Sequence, residues 1–291
     1  MERLLAGQPG TLTFNLYDED GALTDVDVDT DVTVSITDSA ELEVNTGTAT
    51  APVDPTVGVY TYVVPKTVTA DLDTYTVEWT FTLDAVERTI STQFESVGGH
   101  LFEIADFRAV DSVLVDADAY PSAKIRQARV NAEQTIETAA HVAFVPRVST
   151  RTLSGDNTTT LVVPDSHIRS IYSVSIDDVD LTEGEMLYVE IEDSGIIKRT
   201  DGNLWTDGFK NIVIRYEHGW DAPPERIRKA AMLLAYEALV PSQLNPRATS
   251  QSTDLGEFRI SVANMDKDRF TGIPEVDAAI MQFGSFRPSV G

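Results

Sequence analysis

Between residues 10 and 95, apolar and polar side chains alternate with period two in short runs. They predict strands at 11–17, 32–36, 57–64, 75–83 and 87–94. Turn formers separate the runs, the first being Asp18-Glu19-Asp20-Gly21. Runs with one apolar face predict an all-β antiparallel sandwich over residues 1–98, with Phe14, Tyr60, Tyr62, Tyr75, Trp79 and Phe81 on the core side. At Gly98-Gly99 the period changes, which places a domain boundary there. Residues 101–115 read as one or two helical turns, and Pro121 opens a helix that extends to about residue 142. Ile125, Ala128, Ala132, Ile136 and Ala139 paint one apolar stripe on that helix, with Arg126, Arg129, Glu133 and Glu137 on its other faces. Strand patterns return at 159–164, 171–176, 186–191 and 211–216 as an antiparallel meander, followed by a helix at 224–240. The expected architecture is therefore multidomain: the sandwich, an α+β domain over 99–255, and an extended C-terminal tail over 256–291 with one strand at 258–262.

Charge divides the chain. Residues 1–99 carry three Lys/Arg against eighteen Asp/Glu, net −15, and residues 100–291 carry nineteen against twenty-nine, net −10, for a total of −25. Affinity for nucleic acid comes from Lys and Arg displacing counterions, so this balance argues against an exposed DNA-binding groove; it permits a DNA conduit whose wall does not hold the polymer. Six lysines against sixteen arginines, with abundant acid, fit a salt-tolerant surface, from a halophilic host or from an ordinary GC-rich one. The absence of cysteine excludes disulfides and thiolate metal sites. No apolar run is long enough for a signal peptide or a membrane span, so the sequence reads as soluble and unexported.

Candidate chemistry is sparse. Asp25, Asp27, Asp29 and Asp31 alternate, and on a strand they would share a face, either as oxygen ligands for a hard cation or as a solvated edge that blocks strand pairing. His100, His141, His167 and His218 show no metal-ligand spacing and read as surface or interface residues. No nucleophile elbow or phosphate loop occurs, and acid pairs such as Asp177-Asp178 arise by chance in so acidic a chain. The sequence predicts neither enzymatic activity nor a cofactor.

From residue 99 onward an ordered set of segments resembles the head-tail connector (adaptor) proteins of tailed viruses. It comprises the helix core Ala128, Ala132-Glu133, Ile136-Glu137, then Phe144-Val145-Pro146-Arg147, Val163-Pro164, Ile168-Arg169-Ser170-Ile171, 195–199 and Trp205. Val213, Ile214, Tyr216 and Gly219, the Pro223-Pro224 helix and Thr271-Gly272-Ile273-Pro274-Glu275-Val276-Asp277 complete it. The N-terminal third lies outside this resemblance, and its strands look like generic immunoglobulin-like modules.

The resemblance implies a homo-oligomeric ring in the virion neck, typically a dodecamer, assembled in the host cytoplasm. Its partners would be the portal protein, neighbouring copies and the next neck or tail-completion protein, with DNA passing through and no membrane involved. It further implies that residues 256–287 reach into the portal or a neighbour, using Phe270, Ile273, Pro274, Val276, Ala279, Ile280, Phe283 and Phe286, and that the portal templates ring closure. Arg126, Arg129 and Arg147 would line the channel or pair with acids of an adjacent subunit, the pairing being favoured. The alternative function is a receptor- or carbohydrate-binding adhesin built on the sandwich.

Overall fold

The computed structural model describes residues 1–51, 57–192, 195–240, 251–253, 256–258 and 271–284. Its N-terminal lobe contains β1 (Glu2–Leu5), β2 (Gly10–Asn15), β3 (Thr33–Thr37), β4 (Glu43–Thr48), β5 (Val59–Val64), β6 (Asp73–Leu83) and β7 (Val86–Val97). Five of these form a sheet in the order β1-β7-β6-β3-β4, and β2 pairs with β5 in a second sheet. Phe14, Tyr60, Tyr75, Trp79 and Phe81 are buried between the sheets, with Phe14 stacked on Trp79 at 5.1 Å, while Tyr62 is partly buried. The lobe is not wholly antiparallel, since β1 runs parallel to β7.

The turn expected at Asp18-Glu19-Asp20-Gly21 is formed, whereas the cation reading of Asp25, Asp27, Asp29 and Asp31 gives way to loop geometry. Asp18 Oδ1 accepts the backbone N–H groups of Asp20 and Ala22, which closes a tight turn. Residues 25–31 form a loop, so their carboxylates share no strand face. Asp25 accepts from Gly58 N at 2.7 Å, and Asp27 accepts from Asp84 N and Ala85 N in the β6–β7 turn. Asp29 breaks the run by taking a left-handed φ of 64°. Among the described residues no group of three acids or histidines is arranged to hold a metal ion.

The chain crosses out of the sandwich at Gly98. A Cβ there would lie 2.7 Å from the Pro146 ring, and Gly98 N–H donates to Pro146 O at 2.8 Å, so only glycine lets the two lobes pack this closely. Next come α1 (Ile104–Arg108), a 3₁₀ turn at Ser112–Val115, and α2 (Ser122–Ala140), which begins after Pro121 and ends at His141 in a left-handed conformation. Then follow β8 (Arg147–Gly155), β9 (Thr160–Val162), β10 (Ile168–Ile176), β11 (Val179–Asp180), α3 (Glu183–Met186), β12 (Val189–Glu192), β13 (Ile196–Arg199), β14 (Gly208–His218) and α4 (Glu225–Leu239). β15 (Gln251–Thr253) and β16 (Gly256–Phe258) pair with each other, and α5 (Pro274–Phe283) is the last element.

The second lobe is α+β and has two cores. A four-stranded sheet, β11-β10-β14-β8, and a three-stranded one, β12-β13-β9, enclose Trp205, Ile212, Ile214 and Tyr216. The Trp205 indole N–H donates to Thr159 O at 3.1 Å, so this tryptophan is a core residue. The helical core joins α2, α4 and α5 with Leu101, Phe102, Phe107, Leu114 and Phe144. Ile125, Ala128, Ala132 and Ile136 all lie in it, and the small alanines let the helices approach closely.

Candidate assembly surfaces and the seam between the lobes

The residues expected to bind portal or a neighbour do not form an unfinished surface. Val276, Ala279 and Ile280 are 0% exposed, and Ile273 and Phe283 pack partly buried against the same helical core. Phe283 meets Trp220 edge-on at 6.1 Å. The start of α5 is tied down by Asp277, whose Oδ1 accepts Thr271 N at 2.9 Å and Thr271 Oγ1 at 2.7 Å. The apolar spacing was therefore real, but it faces α2 and α4 of its own chain, because those helices leave a groove that only a third helix fills. Pro274 is exposed at the head of the helix, where its missing N–H costs nothing. Phe270, Phe286 and most of the expected strand at 258–262 lie outside the described residues.

The arginines fare differently from one another. Arg126 is exposed and lines a cleft of about 520 Å³ between α2 and the outer side of β2. Arg129 and Arg147 are not free for a channel or a neighbour, because both are engaged within the chain. β1 explains why. Its alternation sends Leu4 into the sandwich core and Arg3 the other way, onto α2. There Arg3 meets Glu133 at 3.2 Å, Glu95 at 3.4 Å and Glu137. Arg147 bridges Glu95 and Glu137 from β8, and Arg129 lies 4.0 Å from Glu133 while donating to Phe102 O. Glu133 also accepts Leu101 N at 2.8 Å, and Glu137 accepts Phe144 N at 3.1 Å.

Three arginines thus face three glutamates in a seam that is neutral in sum and almost wholly buried. Burial costs each ion several kcal/mol, and only the full set of partners compensates. Burial pushes the Glu133 carboxyl up against the pull of Arg3, whereas the three glutamates push the Arg3 guanidinium further up despite its burial. The sequence reading puts these charges off the apolar stripe and pairs the arginines with a neighbouring copy, because a spacing of i, i+4, i+8 looks the same whether its partners lie in the same chain or in another.

His218, expected near the surface or an interface, is buried, and His100 is half-buried with its side chain largely covered, whereas His141 and His167 are exposed. Burial, reinforced by Arg129 and Arg3, takes the His100 imidazole down to about 3; its 3.8 Å approach to Glu133 is therefore not an ion pair at neutral pH. Burial also takes His218 down to about 4, against the pull of Asp165. Both lie below the ordinary value of about 6.5. The unfolded chain therefore binds more protons, and stability falls as pH drops from 6.5 toward 4. Glu133, raised by burial, works in the opposite direction. A His100→Asn/His218→Gln variant keeps Glu133 and isolates the histidine part. Between pH 6.5 and 4.5 the parent is expected to lose about 2–3 kcal/mol more per histidine than the variant in urea denaturation. Parallel pH profiles would contradict this.

Ser149 Oγ and His218 Nε2 lie 2.9 Å apart, the one serine–histidine pairing among the described residues. A working pair needs an acid on the far nitrogen. His218 Nδ1 has no hydrogen-bond partner, and the nearby Asp165 is taken by Tyr216 and Arg151.

Apolar exposure is spread over the surface, with Val28 and Leu187 among the most exposed side chains, and several places stand out. Val110, Val113 and Val115 surround the 3₁₀ turn, Phe209 (85% exposed) and Val179 stand at the far tip of the β8–β10–β14 sheet, and the sandwich sheet has open edges. Among the described residues no helix is long and apolar enough to cross a membrane.

No protein-family model matches the chain, and neither does any of the curated proteins. Among solved structures, a chain described as "Neck of empty GTA particle computed with C6 symmetry" is similar over 66% of this chain and 93% of that one, at 15% identity and a TM-score of 0.42.

Proposed function

We propose that this chain is a structural virion protein, a head-tail adaptor whose copies form a ring below the portal, join capsid to tail and continue the DNA channel. The observation that carries the reading is the ordered set of connector-like segments, every described one of which is part of one α+β lobe: α2, the strands β8 to β14, which form two sheets rather than the expected meander because β8 pairs with β14 and β9 with β13, then α4 and α5. Twelve copies, the portal above and a further neck protein below are the partners this reading names. The acidic surface suits a conduit, since a negative wall does not retain DNA. The buried arginines and glutamates of the seam are occupied with one another and with backbone groups, and we assign the chain no catalytic step. Phe14, Tyr60, Tyr75, Trp79, Phe81 and Phe94 are buried in the sandwich core and only Tyr17 of the lobe's aromatics is exposed, which speaks against the broad aromatic platform that an adhesin would use.

With α5 packed on its own chain, ring closure does not depend on a portal to order that helix. It must instead overcome the repulsion between copies carrying −25 each. At ~1 M salt the screening length shrinks to about 3 Å, so the full chain is expected to convert from monomer to one closed oligomer as KCl rises. Native mass measurement checks this, and a monomer at every salt concentration and protein concentration tested would contradict the reading.

A further inference from the structure

The five-stranded sandwich sheet ends in two open edges. Among the described residues β1 covers β7 only along 94–97, so 86–93 pair with β6 alone, and at the opposite end β4 pairs only with β3. Every residue from 86 to 93 is exposed. Such an edge offers unpaired N–H and C=O groups, and proteins that must stay apart guard it with lysine, proline or a covering segment. Residues 86–93, Val-Glu-Arg-Thr-Ile-Ser-Thr-Gln, contain neither Lys nor Pro and are net zero within a lobe of net −15. β4 likewise has no Lys or Pro, and its bulge near Glu43 leaves residues 45–48 regular.

Resting on the ring reading, we propose that the joint between neighbouring copies is a β-sheet joint, in which β7 of one copy pairs antiparallel with β4 of the next. Strand direction selects this pairing. β4, β3, β6 and β7 alternate, so β7 and β4 are antiparallel, and a rotation about an axis along the strands carries β4 of a second copy beside β7 with the alternation unbroken. A β7–β7 joint would need a perpendicular two-fold axis, which a cyclic ring lacks.

The rows of the sheet also match across such a joint. Thr48, Thr33, Thr80 and Thr89 lie at one level, and Thr46, Ser35, Glu78 and Ser91 at the next but one. With no vertical shift, Thr48 meets Thr89, Thr46 meets Ser91, Asn45 meets Thr92 and Glu43 meets Gln93, so no like charges oppose one another. Cross-strand threonine pairing already occurs within the sheet, where Thr80 Oγ1 and Thr89 Oγ1 are 3.0 Å apart. Thr46 and Ser91 are both exposed, on the face of the sheet away from the sandwich core.

A chain without cysteine makes the test clean. Full-length Thr46→Cys and Ser91→Cys variants, mixed in high salt and mildly oxidised, are expected to give a disulfide-linked pair containing one of each. Either variant alone should give none, and the double variant should give a ladder ending in a closed species. Self-linking of Ser91→Cys would overturn the joint in favour of a two-fold one. Closed oligomers by native mass with no Thr46→Cys/Ser91→Cys bond would overturn the joint while leaving the ring standing. No closed oligomer at all would bring down both.

Discussion

Replacing Arg3 by methionine is expected to destabilise the protein by about 3–5 kcal/mol, because Glu95, Glu133 and Glu137 would be left with too little positive charge in a buried seam. The loss should reach both lobes, since Arg3 sits on a sandwich strand while two of its partners lie on α2. Calorimetry is expected to show one transition for the parent. The variant should melt lower, and a sandwich transition should separate from that of the α+β lobe. Arg169→Met is the control. Arg169 pairs with Glu217 and with Asp221, which is 88% exposed, and losing such a surface pair should cost under about 1 kcal/mol. Equal shifts for the two variants would show that the seam does not hold the lobes together.

The second large effect concerns α5. Ile280→Ala should cost about 2–5 kcal/mol, the range for cutting a fully buried aliphatic side chain back to alanine. Removing residues 271–291 should be worse, since the apolar faces of α2 and α4 would be bare. The truncated chain is expected to aggregate on size-exclusion chromatography. The connector resemblance implies the opposite, that a chain lacking residues 268–291 stays soluble and merely no longer binds the portal. A monodisperse truncated protein with an unchanged melting temperature would restore that view and remove α5 from the core.

These cases mark what the sequence could disclose. Period-two alternation located β2, β3, β5, β6 and β7, and the 3.6-residue spacing located α2 and α4, because in each the apolar face is written in the local sequence. β4 was not legible. Glu43–Thr48 has almost no apolar alternation and is a strand because β3 offers it hydrogen bonds. β1 is only four residues long, and its meaning depends on residues more than ninety positions away. For α5 the apolar edge was readable but its destination was not, since spacing alone does not say whose groove a helix fills. The seam left one signal that could have been used: Arg129, Glu133 and Glu137 follow one another at four-residue steps beside an apolar stripe. The sandwich, meanwhile, supplies only three cations in all, one of them at position 3. A scarce arginine directly before two leucines in a short N-terminal segment is a candidate for an internal partner.

The assignment to the virion neck stands or falls on closure, and imaging of the full chain in ~1 M KCl tests it most directly. The account predicts negative-stain class averages of closed rings with one copy number, sandwiches joined edge to edge, and a central opening wide enough for duplex DNA. Isolated monomers, two-fold dimers or open filaments under those conditions would contradict it.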